Sequence, residues 1–159
     1  TIHSRVVALI DAEEKLPEHW LALDDPALRA AGLSRQKIAY IRDLARQVRD
    51  GSIPVARLHE LDDDEVIRAL TRVKGIGVWT AQMFLMFRLG RRDILPVLDL
   101  GIRNAIRRAY RLRKAPTDKR MRAIAKAWAP YRSVASWYLW QSLELESLEP
   151  ATRNRKPNG

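Results

Sequence analysis

Cysteine is absent from this 159-residue chain. That excludes disulfides, thiolate zinc sites and cysteine-ligated iron–sulfur clusters. Histidine is scarce, and His3, His19 and His59 lie far apart, without metal-ligand spacing. No uninterrupted apolar run is long enough to cross a bilayer. No stretch alternates convincingly enough to read as a strand. Acidic residues are outnumbered, 19 against 29 lysines and arginines, leaving a formal net charge of +10 and a pI of about 10.5. An excess of that size favours a polyanionic partner, nucleic acid ahead of an anionic membrane. Tryptophan, with five residues, is the exception to this scarcity.

What is present is helical periodicity. Ile38, Ile41, Leu44/Ala45 and Val48 recur at helical spacing after a Ser34 cap, and Gly51 ends the run. Val66, Ile67, Leu70 and Val73 form a second face, entered through Asp62-Asp63-Asp64, acidic residues that suit a helix N-terminus. Ile76, Trp79/Thr80, Met83/Phe84 and Phe87 predict a third face. Ile102, Ala105/Ile106, Ala109 and Leu112 predict a fourth, and Met121, Ile124/Ala125 and Trp128 a fifth, capped by Thr117 or Asp118. Beyond Pro130, Val134, Trp137 and Gln141 share one face, with Ser133, Trp140 and Glu144 beside it. Shorter helices are expected over 2–14 and 25–31. The length suits one all-α domain over 1–149, with 150–159 read as a mobile tail.

The stretch Val73-Lys-Gly-Ile-Gly-Val-Trp-Thr-Ala81 places a Gly-Ile-Gly turn between two such helices. Gly75 and Gly77 can take positive φ and bare their N–H groups. The following helix presents its N-terminal amides and positive dipole end to whatever docks there, and a phosphate suits that position, with Lys74 adding charge. Standing alone, a Gly-x-Gly is an ordinary tight turn. Further on, Leu95-Pro-Val-Leu-Asp-Leu-Gly-Ile-Arg103 puts Asp99 where a helix begins. Taken by itself, that is an N-cap aspartate.

Several motifs in order make a more specific pattern. Val73 to Ala81 resembles the helix–hairpin–helix of the DNA glycosylase superfamily. Its continuation, Gln82-Met-Phe-Leu-Met-Phe87, is similar to the alkylbase branch, the 3-methyladenine DNA glycosylase II proteins. Leu95 to Arg103 resembles that branch's catalytic loop, and Trp128-Ala-Pro-Tyr-Arg-Ser-Val-Ala-Ser-Trp-Tyr-Leu-Trp140 its C-terminal helix. Leu28 to Lys37 resembles its upstream segment, so the likeness covers most of residues 25–145.

The resemblance implies an all-α bundle of the helix–hairpin–helix glycosylase type. It implies a monomer that binds double-stranded DNA in the cytoplasm and nucleoid of a bacterium or in a nucleus. It makes Asp99 the catalytic aspartate in hydrolysis of the N-glycosidic bond of alkylated bases, with no cofactor for catalysis. Trp79 and Trp140 match pocket positions, with Tyr131, Trp137 and Tyr138 as further walls. An electron-rich indole suits a cationic base such as 3-methyladenine or 7-methylguanine, once the base is flipped out. Trp20, Trp128 and Trp137 are otherwise expected in the core. Trp79 stands where bifunctional members carry a lysine, which implies no lyase activity. Lys74, Gly75, Ile76, Gly77 and Thr80 take the DNA backbone. The carbonyls of Thr71, Val73 and Ile76 are implied ligands of a monovalent Na+ or K+. Arg103, Arg107, Arg108, Arg111, Arg113 and Lys114 make a basic run, some of which would meet phosphate.

Two departures stand out. Leu98 replaces the polar residue often found before the catalytic aspartate, and Lys74 replaces the usual hairpin proline. The domain is also expected to be N-terminally incomplete relative to the family, without the wedge that fills the emptied base stack. Two other readings remain. One is a non-catalytic helix–hairpin–helix binding module, which would need no Asp99 or aromatic pocket. The other is a glycosylase for oxidised or deaminated bases.

Overall fold

In the computed structural model, residues 1–9 and 16–148 are described. The region predicted as a tail therefore lies outside the described residues, as does part of the predicted first helix. Every regular element among the described residues is helical. The order is α1 Ile2–Val7, α2 Pro17–Ala22, α3 Asp25–Ala30, α4 Arg35–Arg49, α5 Asp63–Leu70, α6 Val78–Phe87, α7 Leu100–Ala109, α8 Asp118–Ala125 and α9 Arg132–Leu148. Two 3-10 segments, Val55–Glu60 and Lys126–Trp128, intervene.

The helix starts follow local chemistry. Ser34, Asp62, Asp99 and Thr117 cap α4, α5, α7 and α8 through their side-chain oxygens, each accepting a backbone N–H three residues on. Asp62 does so within a full capping box, with Glu65 returning a bond to the Asp62 N–H. The short helix α2 carried no periodic signal. It starts at Pro17, whose fixed φ and missing N–H suit a first helical position.

The chain divides into two compact units, Thr1–Ala81 and Gln82–Gly159. In the first, α2 and α3 pack on α4, and Leu28, Ile38, Leu58 and Val66 are buried. In the second, α7 packs on α9. Leu95, Val97, Ile102, Ile106, Met121 and Ala125 form its core, with Leu139, Trp140 and Trp128 against it. Truncating a side chain such as Ile106 to Ala would cost about 2–5 kcal/mol.

Two predicted faces are rotated in the structure. On α6 the buried residues are Ala81, Gln82, Leu85 and Met86, whereas Phe87 is 64% and Trp79 44% exposed. That helix is apolar all round, so periodicity could not choose its inner side. On α9 the inner face is marked by Ser133 and Ser136, both buried. Val134 and Trp137 are exposed, which corrects the expectation that Trp137 is core. Small hydroxyl residues let α9 lie close to its neighbours, an interior signal that hydrophobicity does not record.

Candidate functional site

In the first unit, the connection between α5 and α6 is held by side chains of α4. The Asp43 carboxylate accepts the Lys74 backbone N–H at 2.8 Å, and the Gln47 amide donates to the same carboxylate at 3.0 Å and to the Arg72 carbonyl at 3.3 Å. The Lys74 N–H, aided by Gln47 and the charges of Lys74 and Arg46, keeps the Asp43 carboxyl below the usual carboxylate range against a smaller opposing effect of burial. Thr71 closes the end of α5, its hydroxyl donating to the Ile67 carbonyl at 2.7 Å.

The two hairpin glycines differ. Gly75 has φ +84°, and a Cβ there would collide with the Tyr40 ring. Gly77 does not take positive φ, contrary to the expectation for both, and a Cβ on it would meet no atom of the described residues within 4 Å. Gly75 is thus required by the fold, whereas nothing among the described residues requires Gly77. Its missing side chain clears the approach to the first turn of α6, where the Gly77 carbonyl accepts the Ala81 N–H at 3.0 Å. Lys74, Gly77, Val78, Trp79 and Thr80 are exposed there, and Ile76 is half-buried.

The second unit builds its centre from side chains. Asp99 caps α7, and its Oδ1 accepts the Ile102 N–H at 2.8 Å and the indole N–H of Trp140 at 3.0 Å. Trp140 can come this close because residue 101 is glycine. A Cβ there would stand 3.0 Å from Asp99 Oδ1 and 3.2–3.3 Å from the indole. The Phe87 ring lies 6.0 Å, centroid to centroid, from the indole. Leu98 and Leu100 flank the carboxylate and are exposed.

Two sets of contacts fix this geometry. Arg103 donates to the Val97 carbonyl at 2.9 Å, to the Pro116 carbonyl at 2.9 Å and to Asp118 at 2.7 Å. That ties the loop before Asp99 to the start of α8. Arg103 is therefore engaged within its own unit; the basic run read from sequence left open which of its members would meet phosphate. Arg111, Arg113 and Lys114 of that run lie beyond the end of α7, and Arg111 takes φ +51°.

At the start of α9, Arg132 pairs with Asp93 through two bonds of 2.6 and 2.7 Å. Ser133 donates to the Arg91 carbonyl and accepts the Ile94 N–H. The guanidinium beside Asp93 holds its carboxyl below the usual range, and the carboxylate raises Arg132 in turn. These contacts seat α9 against the 91–94 loop, two turns before Trp140.

The other expected aromatic walls fall elsewhere. Trp137 and Tyr138 meet edge-on at 5.1 Å and line a cleft of about 300 Å³ with Phe87, Arg91 and Arg92. Neither Asp99, Trp140 nor Tyr131 lines that cleft. Tyr131 is 52% exposed, ahead of α9. No group of three or more metal-ligating side chains occurs among the described residues. Sequence reasoning missed Asp43, Gln47, Tyr40, Asp93, Ser133 and the role of Gly101. Only Gly101 carried a visible signal, as a glycine within the first turn of a capped helix.

A model of the HhH-GPD superfamily of base excision DNA repair proteins matches residues 4–130. DNA-3-methyladenine glycosylase 1 of Schizosaccharomyces pombe is 38% identical over 141 residues, which is 88% of this chain and 62% of that protein. A Bacillus subtilis protein, provisionally named as a DNA-3-methyladenine glycosylase, is 39% identical over 80% of this chain and 45% of its own length. The chain thus spans about half the length of these curated relatives. Among solved structures, a DNA-3-methyladenine glycosidase from Bacillus halodurans superposes with a TM-score of 0.83 at 39% identity, covering 93% of this chain and 68% of that one. The S. pombe 3-methyladenine DNA glycosylase in complex with abasic DNA gives 0.80 at 35% identity, covering 94% and 73%.

Proposed function

The chain belongs to the HhH-GPD superfamily of base excision DNA repair proteins, and on that premise we propose that it is a monofunctional glycosylase for alkylated bases in double-stranded DNA. The observation that carries this reading is the Asp99 carboxylate, held at a helix N-terminus by a backbone N–H and by the Trp140 indole. A plain cap needs the first bond only. The second, and the glycine that makes room for it, serve a carboxylate whose direction matters.

The chemistry follows from that direction. A flipped base loses its bond to the sugar as the bond's electron pair leaves with the base. An alkylated purine that carries positive charge departs neutral and needs no proton. Positive charge develops on the sugar, and a fixed carboxylate stabilises it and accepts a proton from the attacking water. Trp79, exposed on the first turn of α6, offers no amine for a Schiff base, so the abasic strand should remain intact. Lys74, Gly75, Ile76, Gly77 and Thr80 would receive the DNA backbone. The carbonyls of Thr71, Val73 and Ile76 would supply neutral, hard oxygens of the kind that suit Na+ or K+. The Val73 carbonyl accepts one hydrogen bond, from Ile76 N–H at 3.1 Å, and retains a second lone pair. The catalytic step itself uses no cofactor, and the enzyme would act as a monomer wherever the DNA is.

The test is mass-spectrometric detection of bases freed from methylated duplex DNA, with borohydride added to trap any Schiff base. Released methylpurines with uncleaved abasic strands are expected. A trapped adduct would refute the monofunctional reading. DNA binding without base release would favour the non-catalytic module, and release confined to oxidised or deaminated bases would favour that class of substrate.

A further inference from the structure

We propose that the basic groove running along α4 toward the hairpin is a second seat for DNA backbone phosphates, extending the footprint beyond the Gly-Ile-Gly turn. The proposal rests on the reading above that the chain binds duplex DNA. Arg35, Arg42 and Arg46 recur at i, i+7 and i+11, which places them in one stripe along the helix. Two adjoining clefts follow that stripe. One, of about 230 Å³, is lined among others by Arg35, Arg42, Arg46 and Lys74. The other, of about 490 Å³, is lined by Asp25, Pro26, Arg29 and Arg35. They share Asp25 and Arg35, so the groove is continuous from α3 to the hairpin lysine, and all of it lies in the first unit.

The carboxylates of this groove are already engaged. Asp25 pairs with Arg42 at 2.7 Å, and Asp43 accepts the Lys74 N–H and the Gln47 amide. Arg35, Arg46 and the Lys74 ammonium make no ion pair of 4.0 Å or less with a described carboxylate, and all three residues are exposed. Arg42 also buries its Nε without a hydrogen-bond partner among the described residues, in the wall of the same cleft. From Arg35 to Arg46 the helix rises about 16 Å, a reach that suits successive phosphates on a strand rather than one isolated anion.

The test is the salt dependence of binding to an undamaged duplex, read by fluorescence anisotropy on the full chain. Each phosphate contact contributes about −0.9 to the slope of log affinity against log salt. Arg35→Gln with Arg46→Gln should flatten the slope by about 1.8 and weaken binding roughly 30- to 100-fold at 0.1 M salt. Arg35→Gln alone should flatten it by about 0.9. The charge-matched pair Arg122→Gln with Lys126→Gln, in the second unit, should leave the slope as in wild type. An unchanged slope in the groove variants, or an equal change in both pairs, would overturn the proposal. So would calorimetric binding of inorganic phosphate that the groove variants lose while their DNA slope stays intact. Base release by the wild type is measured in parallel. Its absence would refute the glycosylase reading alone, whereas release with an unaltered slope would refute the groove alone.

Discussion

At the hairpin of the first unit, what the side chains of α4 hold is backbone: Tyr40 packs where a Gly75 Cβ would stand, Asp43 accepts the Lys74 N–H, and Gln47 donates to the Arg72 carbonyl. At the centre of the second unit the group held is a side chain. Its supports are a backbone N–H three residues on and an indole from another helix. The glycines show the same contrast. Gly75 and Gly101 make room for side chains of the protein itself, whereas Gly77 makes room for none among the described residues. An amide cradle therefore tolerates change at its surface only as far as its partner allows. A carboxylate centre is sensitive to any shift in the helix that carries its second donor.

The sharpest break of this contrast is Asp99→Asn. Asparagine caps a helix about as well as aspartate, so α7 and the melting temperature should persist. Base release from methylated DNA should fall by at least about 10²–10³, with duplex affinity kept. Gly101→Ala comes next. Its Cβ would push the indole or the carboxylate by a few tenths of an ångström, less than the 1 Å misplacement that can cost about 10²-fold. Single-turnover release should fall by up to about tenfold, while anisotropy reports unchanged DNA binding.

The hairpin glycines sharpen the other half. Gly77→Ala should weaken duplex binding by about tenfold, on the order of one lost charge-assisted contact, with no change in thermal melting. Gly75→Ala should lose stability, about 1–3 kcal/mol for a strained conformation, and lose binding with it. If the two variants behave alike, the division between an inward and an outward glycine fails.

The smallest effect concerns Asp93. Arg132 holds its carboxyl below the usual value, so the folded protein binds that proton less readily than the unfolded chain does. The pair therefore stabilises the fold above about pH 4, and its contribution fades as pH falls through the lowered folded value. Both partners are about a third exposed, which limits the effect to about 1 kcal/mol. Asp93→Asn should lower the urea midpoint at pH 7, and the difference from wild type should close near pH 3.

Much of the helical framework was readable because helix starts are local. Ser34, Asp62 and Thr117 cap from one residue to its third neighbour, and a fifteen-residue run such as α4 carries its own inner face. The failures share a cause as well. The inner side of α6 was hidden because that helix is apolar all round, and that of α9 because serines mark it. Arg103 looked like one charge in a basic run, since nothing near it announces the Val97 and Pro116 carbonyls it would meet.

The sequence by itself determined the all-α class, the caps, the position of the hairpin and the placement of Asp99 at a helix start. Each of these depends on residues within a turn or two. Only the tertiary structure decided that Trp140, 41 residues away, donates to Asp99, and that Asp43 grips a hairpin 31 residues downstream. Those contacts depend on how packed cores seat one helix against another, and spacing along the chain does not encode that.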